Sequence, residues 1–98
     1  MRVTKHMLQM RVDLLNQMAG QPLEPYYLDA ETGHLVGNVG NYHINYDYGQ
    51  PRLHRMSNHR GGVESIGPRL PKGQFADVLN AYINGYEAAT REKESGNA

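Results

Sequence analysis

The chain of 98 residues contains no cysteine. That absence excludes disulfides, thiolate nucleophiles, iron–sulfur clusters and cysteine zinc sites, so the fold must rest on packing alone. Long apolar runs are also missing. No stretch approaches the roughly 18 apolar residues that a spanning helix needs. After Met1-Arg2-Val3-Thr4-Lys5-His6 the residues Gln9, Arg11, Asp13 and Asn16 break up what would be the apolar block of a signal peptide, which predicts a cytosolic protein without a membrane partner. Net charge is lacking as well, with 10 basic and 10 acidic residues, whereas dedicated nucleic-acid binders are usually strongly basic. There are no internal repeats or low-complexity tracts, and a chain of this length holds one modest core.

The charges, though balanced in total, are segregated along the chain. Arg2, Lys5 and Arg11 open it without an acid; Asp13, Glu24, Asp29, Glu31 and Asp47 follow without a Lys or Arg; then Arg52, Arg55, Arg60, Arg69 and Lys72 face only Glu64. Such blocks either attract one another within the domain or present a charged patch to a partner.

Val3, Met7, Met10, Leu14 and Met18 recur at three- and four-residue steps, with Leu8 and Leu15 widening the stripe. This predicts an amphipathic helix ending near Ala19, where Gly20 and Pro22 stop it. Its methionines are expected in the core; an adaptable binding face is the alternative. Short β-rich runs follow: Tyr26-Tyr27-Leu28, a loop closed by Gly33, then His34–Val39 and Tyr42–Tyr48. In the last of these Tyr42, Ile44, Tyr46 and Tyr48 alternate with polar residues, as in a sheet packed on one side and wet on the other. Arg52–Ser57 reads as a final strand, placed at an edge by its charged side chains. Residues 58–72 read as a long irregular loop. Phe75, Val78, Leu79, Tyr82, Ile83 and Tyr86 then predict a second helix after Pro71, with Leu79, Tyr82 and Ile83 buried against the sheet and Glu92 onward fraying. The expected fold is α+β: a two-layer α-β-β-β(β)-α domain over residues 1–94, its antiparallel meander packed against an N-terminal and a C-terminal helix, with a frayed tail over 95–98.

Catalytic signatures are sparse, and a non-enzymatic protein is the leading expectation. His6, His34, His43, His54 and His59 form no helical His-x-x-x-His pair, and a site on His54, His59 and Asp47 requires the following loop to fold back; no metal or other cofactor is expected. His54-Arg55-Met56-Ser57-Asn58-His59 resembles a His-Asn-His nuclease motif but lacks the metal-binding helix that should follow. Ser57, Ser65 and Ser95 sit in no nucleophile elbow, and Arg60-Gly61-Gly62 is no phosphate loop.

Two binding readings remain. The first puts a protein-binding surface on Arg52, His54, Arg55, His59, Arg60 and Arg69, which concentrate charge where no packing role is evident. The second is an RNA- or single-stranded-DNA-binding hairpin in which Tyr46 and Tyr48 stack bases while Arg52, Arg55 and Arg60 neutralise phosphates. The segment from Leu35-Val36-Gly37-Asn38-Val39-Gly40-Asn41-Tyr42-His43-Ile44 through Tyr48-Gly49 to Leu53-His54-Arg55-Met56-Ser57-Asn58 resembles small uncharacterised proteins of prophages and other bacterial mobile elements. Those commonly carry Gly-Gly after the central tyrosine, where this chain has Gly49-Gln50, and an acidic residue before the glycine-rich loop, where it has His59-Arg60. The resemblance implies a bacterial host cell and a host protein or complex, including a defence system, as the partner.

Overall fold

In the computed structural model, which describes residues 2–96 and the side chains of residues 2–94, the elements run α1 (Lys5–Met18), β1 (Tyr26–Leu28), β2 (Leu35–Gly37), β3 (Tyr42–Asn45), β4 (Arg52–Met56), β5 (Val63–Ile66) and α2 (Lys72–Gly96). The α+β class expected from the sequence is observed, with five strands divided between two antiparallel sheets. β1 and β2 form a hairpin of their own, and β3, β4 and β5 form a three-stranded meander in that order. No helix of the described residues is long and apolar enough to cross a membrane.

Thr4 starts α1 by accepting the Met7 amide on its hydroxyl, which satisfies one of the unpaired donors of a first turn. Gly20, at φ +69, ends it. The helix is rotated from the expected stripe: Leu8, Val12 and Leu15 are fully buried, whereas Met10 and Leu14 stay 58% and 48% exposed. A buried amide accounts for the rotation. Asn16 donates from Nδ2 to the Tyr42 carbonyl (2.9 Å) and accepts the Tyr42 amide on Oδ1 (2.8 Å), standing in for a neighbouring strand at the edge of β3. Leu8, Val12 and Leu15 share that face and meet Tyr42, Leu53, Phe75, Leu79 and Ile83 in one core. Each such side chain contributes about 1.5–3 kcal/mol on full burial. Tyr82 is only half-buried, its hydroxyl 3.0 Å from that of Tyr42.

Three expectations for the sheet are corrected. Arg52–Met56 is the central strand, because Val63–Ile66, expected within a loop, pairs along its other side from Met56↔Val63 to Leu53↔Ile66. Charge on β4 therefore does not mark an edge: Leu53 turns to the helices with Arg55 exposed at the periphery of that face, while Arg52 and His54 turn away to the wet face. The period-two run stops at Asn45, and Tyr46 and Tyr48 enter a tight turn in which the Gly49 amide bonds the Tyr46 carbonyl. At the C-terminus, α2 continues unbroken past Glu92 to Gly96, with Arg91 and Glu87 paired across one turn. The part of the expected tail at residues 97 and 98 lies outside the described residues, as does Met1.

Candidate functional site

The β1–β2 hairpin is built by register and by glycine. Its tip closes through Asp29, whose amide bonds the His34 carbonyl and whose carbonyl accepts the Gly33 amide, with Gly33 at φ +71. Its base is tied to the β4–β5 loop: the Gly37 amide donates to the His59 carbonyl (2.8 Å), and the His59 ring Nδ1 lies 3.3 Å from the Gly37 carbonyl. Only glycine fits there, since a Cβ on Gly37 would lie 2.7 Å from the Asn58 carbonyl oxygen and 2.9 Å from the Met56 sulfur. Tyr26, Leu28, Leu35 and Gly37 share one hairpin face, because they occupy alternate positions of paired strands. The base of that face rests on the loop, but its tip does not. Leu28 and Leu35, directly opposed in register, are 65% and 67% exposed. Tyr26 and Tyr27 are exposed as well, so the hairpin carries apolar groups on both faces.

The rim is charged on both sides. Asp29 and Glu31 stand at the hairpin tip, and Arg60 and His59 at its base. Asn58 holds the basic loop in shape, its Oδ1 accepting the Arg60 and Gly62 amides at 3.0 and 2.9 Å. This leaves the Arg60 side chain free to project.

The other residues singled out from sequence are distributed elsewhere. Arg55 faces the helices at the periphery, 5.6 Å from the centroid of the Tyr42 ring and opposite Glu64 in register. Burial, followed by the Tyr82 hydroxyl contact, pushes the Tyr42 phenol up to about 12. Arg69 returns to the start of β4, donating to the Asn45 carbonyl (3.1 Å), the Gln50 carbonyl (2.8 Å) and Asn45 Oδ1 (2.9 Å). Arg52 donates from Nε to the Gly67 carbonyl at 2.9 Å. Beside it on the wet face, His54 meets the directly opposed His43 edge-to-face at 5.7 Å and lies 3.4 Å from the Ser65 hydroxyl. Asn41, its Nδ2 donating to the Pro22 carbonyl, turns Oδ1 toward His43 Nδ1 at 3.2 Å, which fixes that nitrogen as the protonated one. Burial and then His54 lower the His43 pKa; burial and then Arg52 and Arg69 lower that of His54. Both imidazoles are therefore shifted toward the neutral form.

The proposed protein-binding residues thus separate: His59 and Arg60 lie beside the hairpin, Arg52, His54 and Arg69 toward the start of β4, and Arg55 apart from both on the helix side. The nucleic-acid set is dispersed too, with Tyr46 half-buried under the Lys5 ammonium (4.5 Å to the ring centroid), Arg55 on the helix side and Arg60 at the far end of β4. Sequence reasoning missed the exposed Leu28 and Leu35, and also His43, Asn45 and Ser65 on the wet face. A correct β3–β4 register would have found His43, which it places opposite His54. Among the described residues no three His, Asp or Glu side chains gather as a metal-ligand set.

The fold defines a small α+β domain with a projecting apolar hairpin. Beyond that class, no family model, curated protein or solved structure matches the chain.

Proposed function

We propose that the chain is a non-enzymatic accessory protein of the mobile-element kind, acting in a bacterial host cell by docking its β1–β2 hairpin onto a host protein. The observation that carries this reading is the Leu28–Leu35 pair, held outward at the tip of a hairpin that joins neither edge of the main sheet. A two-stranded hairpin is marginally stable in water on its own, and opposed leucines left in solvent gain most when another surface covers them. An apolar centre with a charged rim is also the usual anatomy of a protein interface. Given Asp29 and Glu31 at one end and His59 and Arg60 at the other, the partner presents an apolar cleft with basic groups on one side and acidic groups on the other.

The test compares the wild-type chain with a Leu28→Glu, Leu35→Glu variant as baits in bacterial lysate, followed by titration of each recovered protein in pure form. A partner that uses the hairpin loses about 30-fold or more in affinity, the effect of removing one interfacial anchor worth about 2 kcal/mol. Equal recovery and equal affinity for both baits overturns the reading. So does a hairpin-dependent shift in sedimentation without any host protein, which makes a second copy of this chain the occupant. Turnover of a small substrate by the wild-type chain places it among enzymes instead.

A further inference from the structure

The wet face at the start of β4 has no part in the hairpin reading, and the two lie at opposite ends of that strand, roughly 13 Å apart at 3.3 Å per residue. Two observations meet there. The first is Tyr48, 93% exposed and the single non-glycine residue among those described with positive φ, at φ 64 and ψ 17. A large aromatic side chain in left-handed backbone costs free energy, and here no packing explains it. The Arg69 guanidinium lies 5.4 Å from its ring centroid, and the rest of the ring is open.

The second observation is uncompensated positive charge. Arg52 and Arg69 bond to carbonyl groups and to Asn45, and neither has a carboxylate within ion-pair distance among the described residues, where Glu87–Arg91 is the one ion pair. Asp47 is the nearby acid, its carboxylate engaged by the Asn45 amide. At His54 the two guanidinium groups act more strongly than that carboxylate, so the local field is positive. A divalent metal on the His43–His54 pair is disfavoured by the same field, whereas an oxyanion is favoured. Arg52 keeps its terminal N–H groups for such an anion, and Ser65 offers a hydroxyl one strand away.

We infer that this face binds a nucleoside phosphate, with its base stacked on Tyr48 and its phosphate held by Arg52, His54 and Ser65. Free nucleotide and a unit of single-stranded nucleic acid share that chemistry, and Tyr48 supplies the stacking platform that single-strand binders use.

The test follows amide signals of the full chain by NMR during titration with adenosine monophosphate, short oligo-thymidylate and inorganic phosphate. Either nucleotide ligand should move Tyr48, Arg52, His54 and Ser65; response to the strand alone identifies the polymer as the source, and response to both identifies the nucleotide unit. With Arg52 as the one charged phosphate contact on a single strand, strand affinity falls about two- to threefold between about 50 and 200 mM salt. Tyr48→Gly removes the stacking surface and at the same time relieves the backbone, so it weakens binding at least about fivefold while the thermal midpoint holds or rises. No response at about 50 mM salt overturns the inference, as does Tyr48→Gly binding like wild type. Inorganic phosphate binding as tightly as either nucleotide ligand also overturns it, because the base then contributes nothing.

Discussion

Replacing Asn16 tests the account of how α1 is seated on the sheet. Its side chain is fully buried and makes two hydrogen bonds, at 2.8 and 2.9 Å, to the amide and carbonyl of Tyr42. Asn16→Ala strands both backbone groups away from water. Each stranded group costs about 1–3 kcal/mol, so the loss is about 2–6 kcal/mol. Against a total stability of about 5–15 kcal/mol for a domain of this size, that is enough to lower the midpoint by about 10 °C or more. Asn16→Asp adds a check on mechanism. Its ionised form keeps an acceptor for the Tyr42 amide but turns a second oxygen toward the carbonyl, whereas its protonated form restores the donor. The folded-state pKa of the introduced carboxyl is thus raised above the usual 3.9 or so. Its stabilisation is complete below the unfolded pKa and is lost as pH rises through the folded one. Urea unfolding followed by circular dichroism, across pH and always relative to wild type, measures both effects. An Asn16→Ala variant within about 0.5 kcal/mol of wild type, or an Asn16→Asp deficit that does not shrink on acidification, would refute this reasoning.

Ile83→Ala should cost about 2–5 kcal/mol in the same assay, since Ile83 is buried at the seam of α1, α2 and β3. Gly37→Ala should lower the melting temperature and free the hairpin from the β4–β5 loop, seen as loss of amide exchange protection at Gly37, because the added Cβ meets backbone at 2.7 Å. The lowered pKa values of His43 and His54 mean that the unfolded chain binds more protons near their titration. Their stabilisation is present above the unfolded pKa, about 6.5, and is lost as pH falls through the lower folded values; thermal melts from pH 7.5 to 5, on the order of that range, should show the decline, and His43→Gln with His54→Gln should flatten it. Arg55→Ala combined with Arg60→Ala should change stability by no more than about 0.5 kcal/mol per site, since both side chains are exposed.

Those residues show what could be read in advance. The second helix was legible because Phe75, Leu79 and Ile83 repeat at four-residue steps, although the adjacent Val78, Tyr82 and Tyr86 repeat in the same way and stay exposed or half-buried. The first was legible as a helix but not in its orientation. Met7, Met10 and Leu14 lie beside Leu8, Val12 and Leu15, and apolarity alone does not choose between neighbouring stripes; the long-range bonds of Asn16 do. β5 was illegible because Val63-Glu64-Ser65-Ile66 has little strand character of its own and owes its conformation to β4. On the site, Arg52, His54, His59 and Arg60 lie outside the core, and the side chains that complete their surroundings come from other strands. Arg69 looked like a free charge and is a clasp joining Asn45 and Gln50.

With the hairpin and the distal half of α2 standing away from its two-layer body, the molecule measures 42 × 40 × 20 Å with a radius of gyration of 14.8 Å, against about 13 Å for a compact chain of 100 residues. Thinness of this kind makes stability uneven. Amides in α1, β3, β4 and the first half of α2 exchange with solvent only when the whole domain opens, whereas those of β1 and β2, paired with each other apart from the Gly37–His59 link, need only that two-stranded ladder to open. The hairpin is therefore the first element to let go, and whatever covers Leu28 and Leu35 binds the portion of the molecule whose order it can most readily increase.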